Sequence, residues 1–94
     1  MNHDPKASAP WFVYVVRCVD DTLYTGITTN PERRMLEHNA GPPSGARYTR
    51  SRRPVTLAYL EGAASRALAA QRECAIKKLD RRRKLELCKL HEST

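Results

Sequence analysis

A chain of 94 residues holds one hydrophobic core, and a domain this small buries only roughly 60–65% of its unfolded surface, so each apolar segment is needed. The apolar content of 40% suits a folded domain rather than a disordered chain, while 17 Lys and Arg against 10 Asp and Glu give a net charge of +7, which suits either a polyanionic partner, usually nucleic acid, or a surface that is merely basic. No apolar run approaches about 18 residues, and the start MNHDPKASAP is polar throughout; this excludes a spanning helix and a signal peptide, and points to a cytoplasmic protein with no membrane partner.

Residues 1–10 read as a flexible tail, 11–90 as a single domain and 91–94 as a C-terminal tail. WFVYVVRC, 11–18, is rich in aromatic and β-branched residues and predicts a first strand. A short polar break precedes LYTGIT, 23–28, which predicts a second strand paired with the first as a hairpin. Asn30-Pro31-Glu32 is a helix start: Asn30 supplies a cap, Pro31 fits the first helical position, and Glu32 favours the positive helix end. That helix is expected to reach Asn39, where Ala40-Gly41-Pro42-Pro43 stops it. GPPSGARYTRSRR, 41–53, reads as a basic loop and VTLAYLE, 55–61, as a third strand. From Ala64 the spacing of Leu68, Arg72, Ala75, Ile76 and Leu79 predicts a helix; Asp80 caps a further one, either bent from it or separated by a turn. The order β-β-α-β-α-α predicts an α+β domain with a small three-stranded antiparallel sheet flanked by helices. Cys18, Cys74 and Cys88 are odd in number, far apart and without CxxC spacing, so they are read as small apolar residues of regular elements.

Tyr14 in Phe12-Val13-Tyr14, Tyr24 in Tyr24-Thr25-Gly26, Arg34 and His38 on the following helix, and Glu73 on a later one resemble the GIY-YIG nuclease superfamily across roughly residues 11–79. The nearest resemblance is to small stand-alone bacterial GIY-YIG proteins, and GITTNPERRMLEHNAG is also similar to the GIY-YIG domain of structure-selective DNA repair nucleases. The chain departs from the pattern at Phe12, in place of the first glycine, and at Thr25; no asparagine after Glu73 matches the late one of some family nucleases. No stretch reads as the separate DNA-targeting domain of larger members.

The resemblance implies a GIY-YIG fold and a metal-dependent endonuclease that hydrolyses phosphodiesters in DNA. Tyr14 is then the general base, Tyr24 orients the water or shares the proton, and Arg34 stabilises the phosphate. Glu73 holds one divalent metal, Mg²⁺ or Mn²⁺, with waters and phosphate oxygens completing the octahedron. A phenol with a free pKa of about 10 is a poor base at neutral pH, so the site is expected to lower that value through Arg34, His38 and the metal. His38, one turn after Arg34, either relays the proton of Tyr14 or binds phosphate. Tyr14 and Tyr24 share a face if the hairpin loop is odd in length, whereas a two-residue Asp20-Asp21 turn puts them on opposite faces.

Each feature has a plainer reading. The tyrosines also suit half-buried strand positions, Arg34 surface charge, and Glu73 an i,i+4 ion pair with Lys77. Gly26 marks a close backbone approach or a bulge. Arg81-Arg82-Arg83-Lys84 is either a solvated helix start or a phosphate-contacting patch. Arg47, Tyr48, Arg50, Arg52 and Arg53, with Arg33 and Lys77, form the expected nucleic-acid surface. Two other functions fit the same residues: a nucleic-acid-binding module without cleavage, and a nuclease subunit in DNA repair whose protein partner supplies specificity.

Overall fold

The computed structural model describes residues 10–92. Strands β1 (Trp11–Arg17) and β2 (Leu23–Thr28) are followed by helix α1 (Pro31–Ala40), strand β3 (Thr56–Ala63), and helices α2 (Arg66–Lys77) and α3 (Arg81–Glu92). The three strands form an antiparallel sheet in the order β2-β1-β3. The uninterrupted apolar run of β1 has its cause here. It is the central strand with both faces covered, and Phe12 through Val16 are all buried.

Val13 and Val15 face one side and pack with Ala69 and Ile76 of α2 and Cys88 of α3. Tyr14, Val16 and Cys18 face the other, with Val55, Met35 of α1, Tyr24 and Leu60 around them. Val16 pairs with Tyr24 and Tyr14 pairs with Gly26, so the two tyrosines share this second face. The hairpin loop spans residues 18–22, odd in length as the shared face requires. Asp21 adopts a φ of 70°, and Asp20 Oδ1 accepts from the backbone N–H (3.2 Å) and hydroxyl (2.6 Å) of Thr22.

The caps follow the sequence closely. Asn30 accepts from the Arg33 N–H at 3.1 Å, Pro31 occupies the first turn, and Gly41, at a φ of 90°, ends α1. Asp80 accepts from the Arg83 N–H at 2.9 Å and opens α3 after a turn, which settles the bent-or-separate alternative.

Several expectations need correction. Cys18 falls just beyond β1, and β3 begins after Val55 and runs on to Ala63. Helix α2 starts at Arg66, because Ser65 rather than Ala64 provides the cap, accepting from the Leu68 N–H at 3.1 Å. Its packed stripe is rotated from the expected one: Ala69 and Ile76 are buried, while Leu68 and Ala75 are exposed. Small Ala69 lets the helix backbone approach β1, which a leucine there would prevent. Cys74 and Cys88 do fall in helices, α2 and α3, with Cys74 exposed and Cys88 buried. Residues 91–92 continue α3 instead of forming a tail, while the tails at 1–9 and 93–94 lie outside the described residues. No helix among the described residues is long and apolar enough to cross a membrane.

Strand β3 carries a bulge. Val15 pairs with Tyr59 but Val16 pairs with Leu57, which leaves Ala58 as the extra residue. Leu57 and Leu60 therefore share the α1 side of the sheet. With Pro31, Met35 and Leu36 they line an apolar groove of about 400 Å³. Of the residues expected to do chemistry, none lines it.

Candidate active site

Four of the five expected catalytic side chains converge where β1, β2 and α1 meet. Tyr14 projects from the centre of β1, and its ring lies over Gly26 on β2. A Cβ added at Gly26 would fall 2.6 Å from Tyr14 Cζ, so the glycine is needed for a close approach, here of a ring and not of backbone. The Tyr14 hydroxyl lies 2.8 Å from His38 Nε2 and accepts a longer bond from Arg34 Nε at 3.4 Å. Arg34 and His38 share one face of α1, where His38, with Pro31, is buried and Arg34 is partly exposed. Tyr24 closes the group: its ring centroid stands 6.5 Å from that of Tyr14 and 5.7 Å from that of His38.

Arg34 is also held from its own helix. Its Nη1 donates to Glu37 Oε1 at 2.9 Å, and Arg33 lies within 3.7 Å of the other oxygen of the same carboxylate. Glu37 was legible from its i+3 and i+4 spacing to the two arginines, although the family pattern gives it no role.

The charge states follow from burial. Tyr14 is 1% exposed, and this burial pushes its phenol up to about 12 against the pull of the Arg34 hydrogen bond and charge. Arg34 alone therefore does not bring about the expected lowering of the Tyr14 pKa, because desolvation of the phenolate outweighs the one adjacent guanidinium. His38 is fully buried, and burial, then the charge of Arg34, holds its imidazole down to about 4. Burial works against the Arg34 charge as well, but its bonds to Tyr14 and Glu37 prevail and its pKa stays above the ordinary value. At neutral pH the site therefore holds a neutral phenol, a neutral imidazole and a guanidinium.

Glu73 stands on α2 beside this group, near enough for its charge to act on Tyr14. Its carboxylate pairs with Lys77 Nζ at 3.2 Å, the surface ion pair that the i,i+4 spacing predicts, and Lys77 in turn lies 6.0 Å above the Tyr24 ring. Among the described residues no three His, Cys, Asp or Glu side chains converge as a metal cage. Glu73, 22% exposed, is the available carboxylate. One such oxygen donor suits Mg²⁺ or Mn²⁺, which keep most of their waters, and does not suit zinc.

The loop between α1 and β3 forms the outer wall. Asn39 fixes its end, donating to the Val55 carbonyl (3.1 Å) and accepting from the Val55 N–H (2.7 Å). Tyr48 stacks on Tyr24, with ring planes 18° apart, and the Arg52 guanidinium lies over the Tyr48 ring at 3.9 Å. Arg52 also reaches Asp20 of the hairpin loop at 3.1 Å. Arg50 donates to the Pro43 carbonyl, and Arg53 to the carbonyls of Arg50 and Asn39. These arginines satisfy carbonyls of an irregular segment as well as adding charge. Arg47 and Arg33 are exposed.

The residue that the sequence did not disclose is Thr49. It is fully buried, and its Oγ1 lies 2.8 Å from His38 Nδ1, behind the imidazole. A threonine between Tyr48 and Arg50 in a basic loop carries no periodicity or motif that could have singled it out.

The GIY-YIG catalytic domain model matches residues 10–86. A UPF0213 protein of Desulfotalea psychrophila is 56% identical over 94% of this chain and 80% of its own length, and one of Natronomonas pharaonis is 52% identical over 85% and 92%. Two solution structures are similar: a protein of E. faecalis (40% identity, TM-score 0.57, covering 88% of this chain and 86% of that one) and a UPF0213 protein of Bacillus halodurans (39%, 0.54, 85% and 83%). The chain belongs to the GIY-YIG catalytic domain family and lies among its UPF0213 proteins.

Proposed function

We propose that this protein is an endonuclease that hydrolyses phosphodiester bonds in DNA, with Tyr14 and His38 moving the proton and Arg34 holding the phosphate. The observation that carries this reading is the buried Tyr14–His38 contact beside Arg34. Attack on phosphorus needs a water that loses its proton as it bonds. Tyr14 takes that proton on oxygen while passing its own to His38 Nε2, so no free phenolate with a pKa of about 12 has to form. The water oxygen bonds to phosphorus as the bond from phosphorus to the leaving oxygen breaks, and that oxygen departs with the other strand end, taking a proton from solvent. His38, buried behind Tyr14, suits the relay and not a phosphate contact.

Substrate binding prepares this transfer. The Arg34 charge is the second cause of the low His38 pKa. A phosphate against Arg34 neutralises that charge and makes the imidazole a better proton acceptor. It also draws on the guanidinium that adjoins the buried Tyr14 hydroxyl, opening the approach for water. Tyr24, at the rim, orients the water. Glu73 is the residue that would hold a divalent cation, whose chemistry is to neutralise charge on the phosphate oxygens.

Arg33, Arg47, Arg50, Arg52, Arg53 and Lys77 surround the site as the cationic track for the DNA backbone. Such contacts position the strand and do not read bases, so structure-dependent or unselective cleavage is expected. Binding without cleavage is the rival reading, favoured by the burial of Tyr14 and by the pairing of Glu73 with Lys77. A partner protein that supplies specificity is compatible with either.

The experiment is cleavage of single-stranded, duplex, flap and junction DNA with and without Mg²⁺ or Mn²⁺, beside Arg34→Ala and Glu73→Ala. Cleavage that needs the cation and is lost in both variants supports the nuclease. Binding without cleavage of any substrate supports the rival.

A further inference from the structure

We infer that Thr49 is a positioning residue, which fixes the His38 imidazole as the Nδ1–H tautomer so that the Nε2 lone pair faces the Tyr14 hydroxyl. The inference takes only its catalytic consequence from the nuclease reading; the tautomer stands on the hydrogen bonds. Thr49 has one hydroxyl proton and two neighbours for it, the Ala46 carbonyl at 3.0 Å and His38 Nδ1 at 2.8 Å. If the proton goes to Ala46, the hydroxyl, ring and guanidinium donors that link Thr49, His38, Tyr14 and Arg34 each have an acceptor, and only the long Ala46 N–H contact to Nδ1 is given up. Nδ1–H then donates to Thr49 Oγ1, the Tyr14 O–H to Nε2, and Arg34 Nε–H to the Tyr14 oxygen.

The opposite arrangement fails at Tyr14. With Thr49 donating to Nδ1, the imidazole proton moves to Nε2 and points at the Tyr14 oxygen, which Arg34 already approaches with a donor. The buried phenol proton then has no acceptor among the described residues, and an unpaired buried donor is costly. The Ala46 N–H also points toward Nδ1, but at 3.5 Å it is too long to compete with the 2.8 Å bond. The Thr49 hydroxyl is pinned in turn by its own loop, where the Thr49 N–H donates to the same Ala46 carbonyl at 3.1 Å. The loop between α1 and β3 thus sets the direction in which a proton can leave Tyr14.

The test is long-range ¹H–¹⁵N correlation of the histidine rings in the full chain at neutral pH, with the His38 signals assigned by their loss in His38→Gln. The expected wild-type result is a protonated Nδ1 and a bare Nε2. Thr49→Val keeps the shape and removes the acceptor; it should move the ring toward Nε2–H and lower kcat about 10–100-fold with KM little changed, the loss typical when the partner orienting a functional imidazole is removed. Thr49→Ser should restore both tautomer and rate. A wild-type ring protonated on Nε2, or a tautomer that Thr49→Val leaves unchanged, overturns the assignment, and the wild-type spectrum decides even if Thr49→Val does not fold. An Nδ1–H ring in a protein that cuts no DNA keeps the Thr49 assignment and removes the nuclease reading. Cleavage by a protein whose ring is protonated on Nε2 does the reverse.

Discussion

Replacing Gly26 by alanine separates a glycine kept for a close packing partner from one tolerated by an ordinary strand. The Gly26 backbone does not need positive φ, so alanine on these grounds alone would stabilise by about 0.4–1 kcal/mol through the unfolded chain. The added Cβ would, however, fall 2.6 Å from Tyr14 Cζ and 3.0 Å from Cε2. That ring cannot easily yield, because it is buried and its hydroxyl is tied to His38 and Arg34. Overpacking of this kind costs about 1–3 kcal/mol, and loosening the buried Tyr14–His38 bond adds about 1–3 more. After the backbone gain, the net loss should be about 1–5.5 kcal/mol, at roughly 4–8 °C of Tm per kcal/mol for a domain this size. Thermal unfolding of Gly26→Ala measures this, and the same substitution in a Tyr14→Ala background isolates the clash. There the penalty should vanish or become a small gain. Gly26→Ala with a raised Tm, or an equal penalty in both backgrounds, would refute the packing argument.

Acid should weaken the fold through His38. Its folded pKa of about 4 lies below the ordinary 6.5, so between these values the unfolded chain binds more protons; stability is fully present above pH 6.5 and falls by about 3 kcal/mol as pH drops to 4. Urea midpoints at pH 7 and pH 4.5 should show this loss, and His38→Gln should flatten it. Arg34→Ala removes the charge-assisted phosphate donor and should lower kcat by roughly 10²–10³ without comparable loss of fold, measured by cleavage beside circular dichroism. Contacts to about four to six phosphates should give a log–log salt slope of about −4 to −5 for duplex binding, and Arg47→Ala should reduce its magnitude by about one. A slope near zero would remove the cationic track from the account.

Most of the architecture was legible because local rules decide it. The cap and proline at Asn30-Pro31, the stop at Gly41, and the cap at Asp80 each act within a few residues, whereas the face shared by Tyr14 and Tyr24 depended on a loop length that the sequence left open. Register on α2 was less legible: small Ala69 wins the sheet-facing position over Leu68, which a hydrophobicity pattern ranks the other way. Within the site, side chains that match a motif or a charge run were named from the sequence, in regular elements and in the loop alike, whereas Glu37 and Thr49 were not. The place of Thr49 and the stacking of Tyr48 with Tyr24 and Arg52 depend on how an irregular segment folds back over α1, which no period encodes. The charge state of Tyr14 was less legible for a related reason. Spacing reveals the neighbouring charge of Arg34 but not the depth of burial that overrides it.

In the proposed reaction Tyr14 and His38 act as one proton-transfer unit, and a double-mutant cycle on DNA cleavage tests this most directly. Single-turnover rates are compared for wild type, Tyr14→Phe, His38→Gln and the double variant, on whichever DNA the wild type cuts. The prediction is that each single variant loses about 10²-fold or more and that the double variant is no slower than the worse of the two. Losses that multiply in the double variant, or a Tyr14→Phe protein as fast as wild type, would contradict the relay.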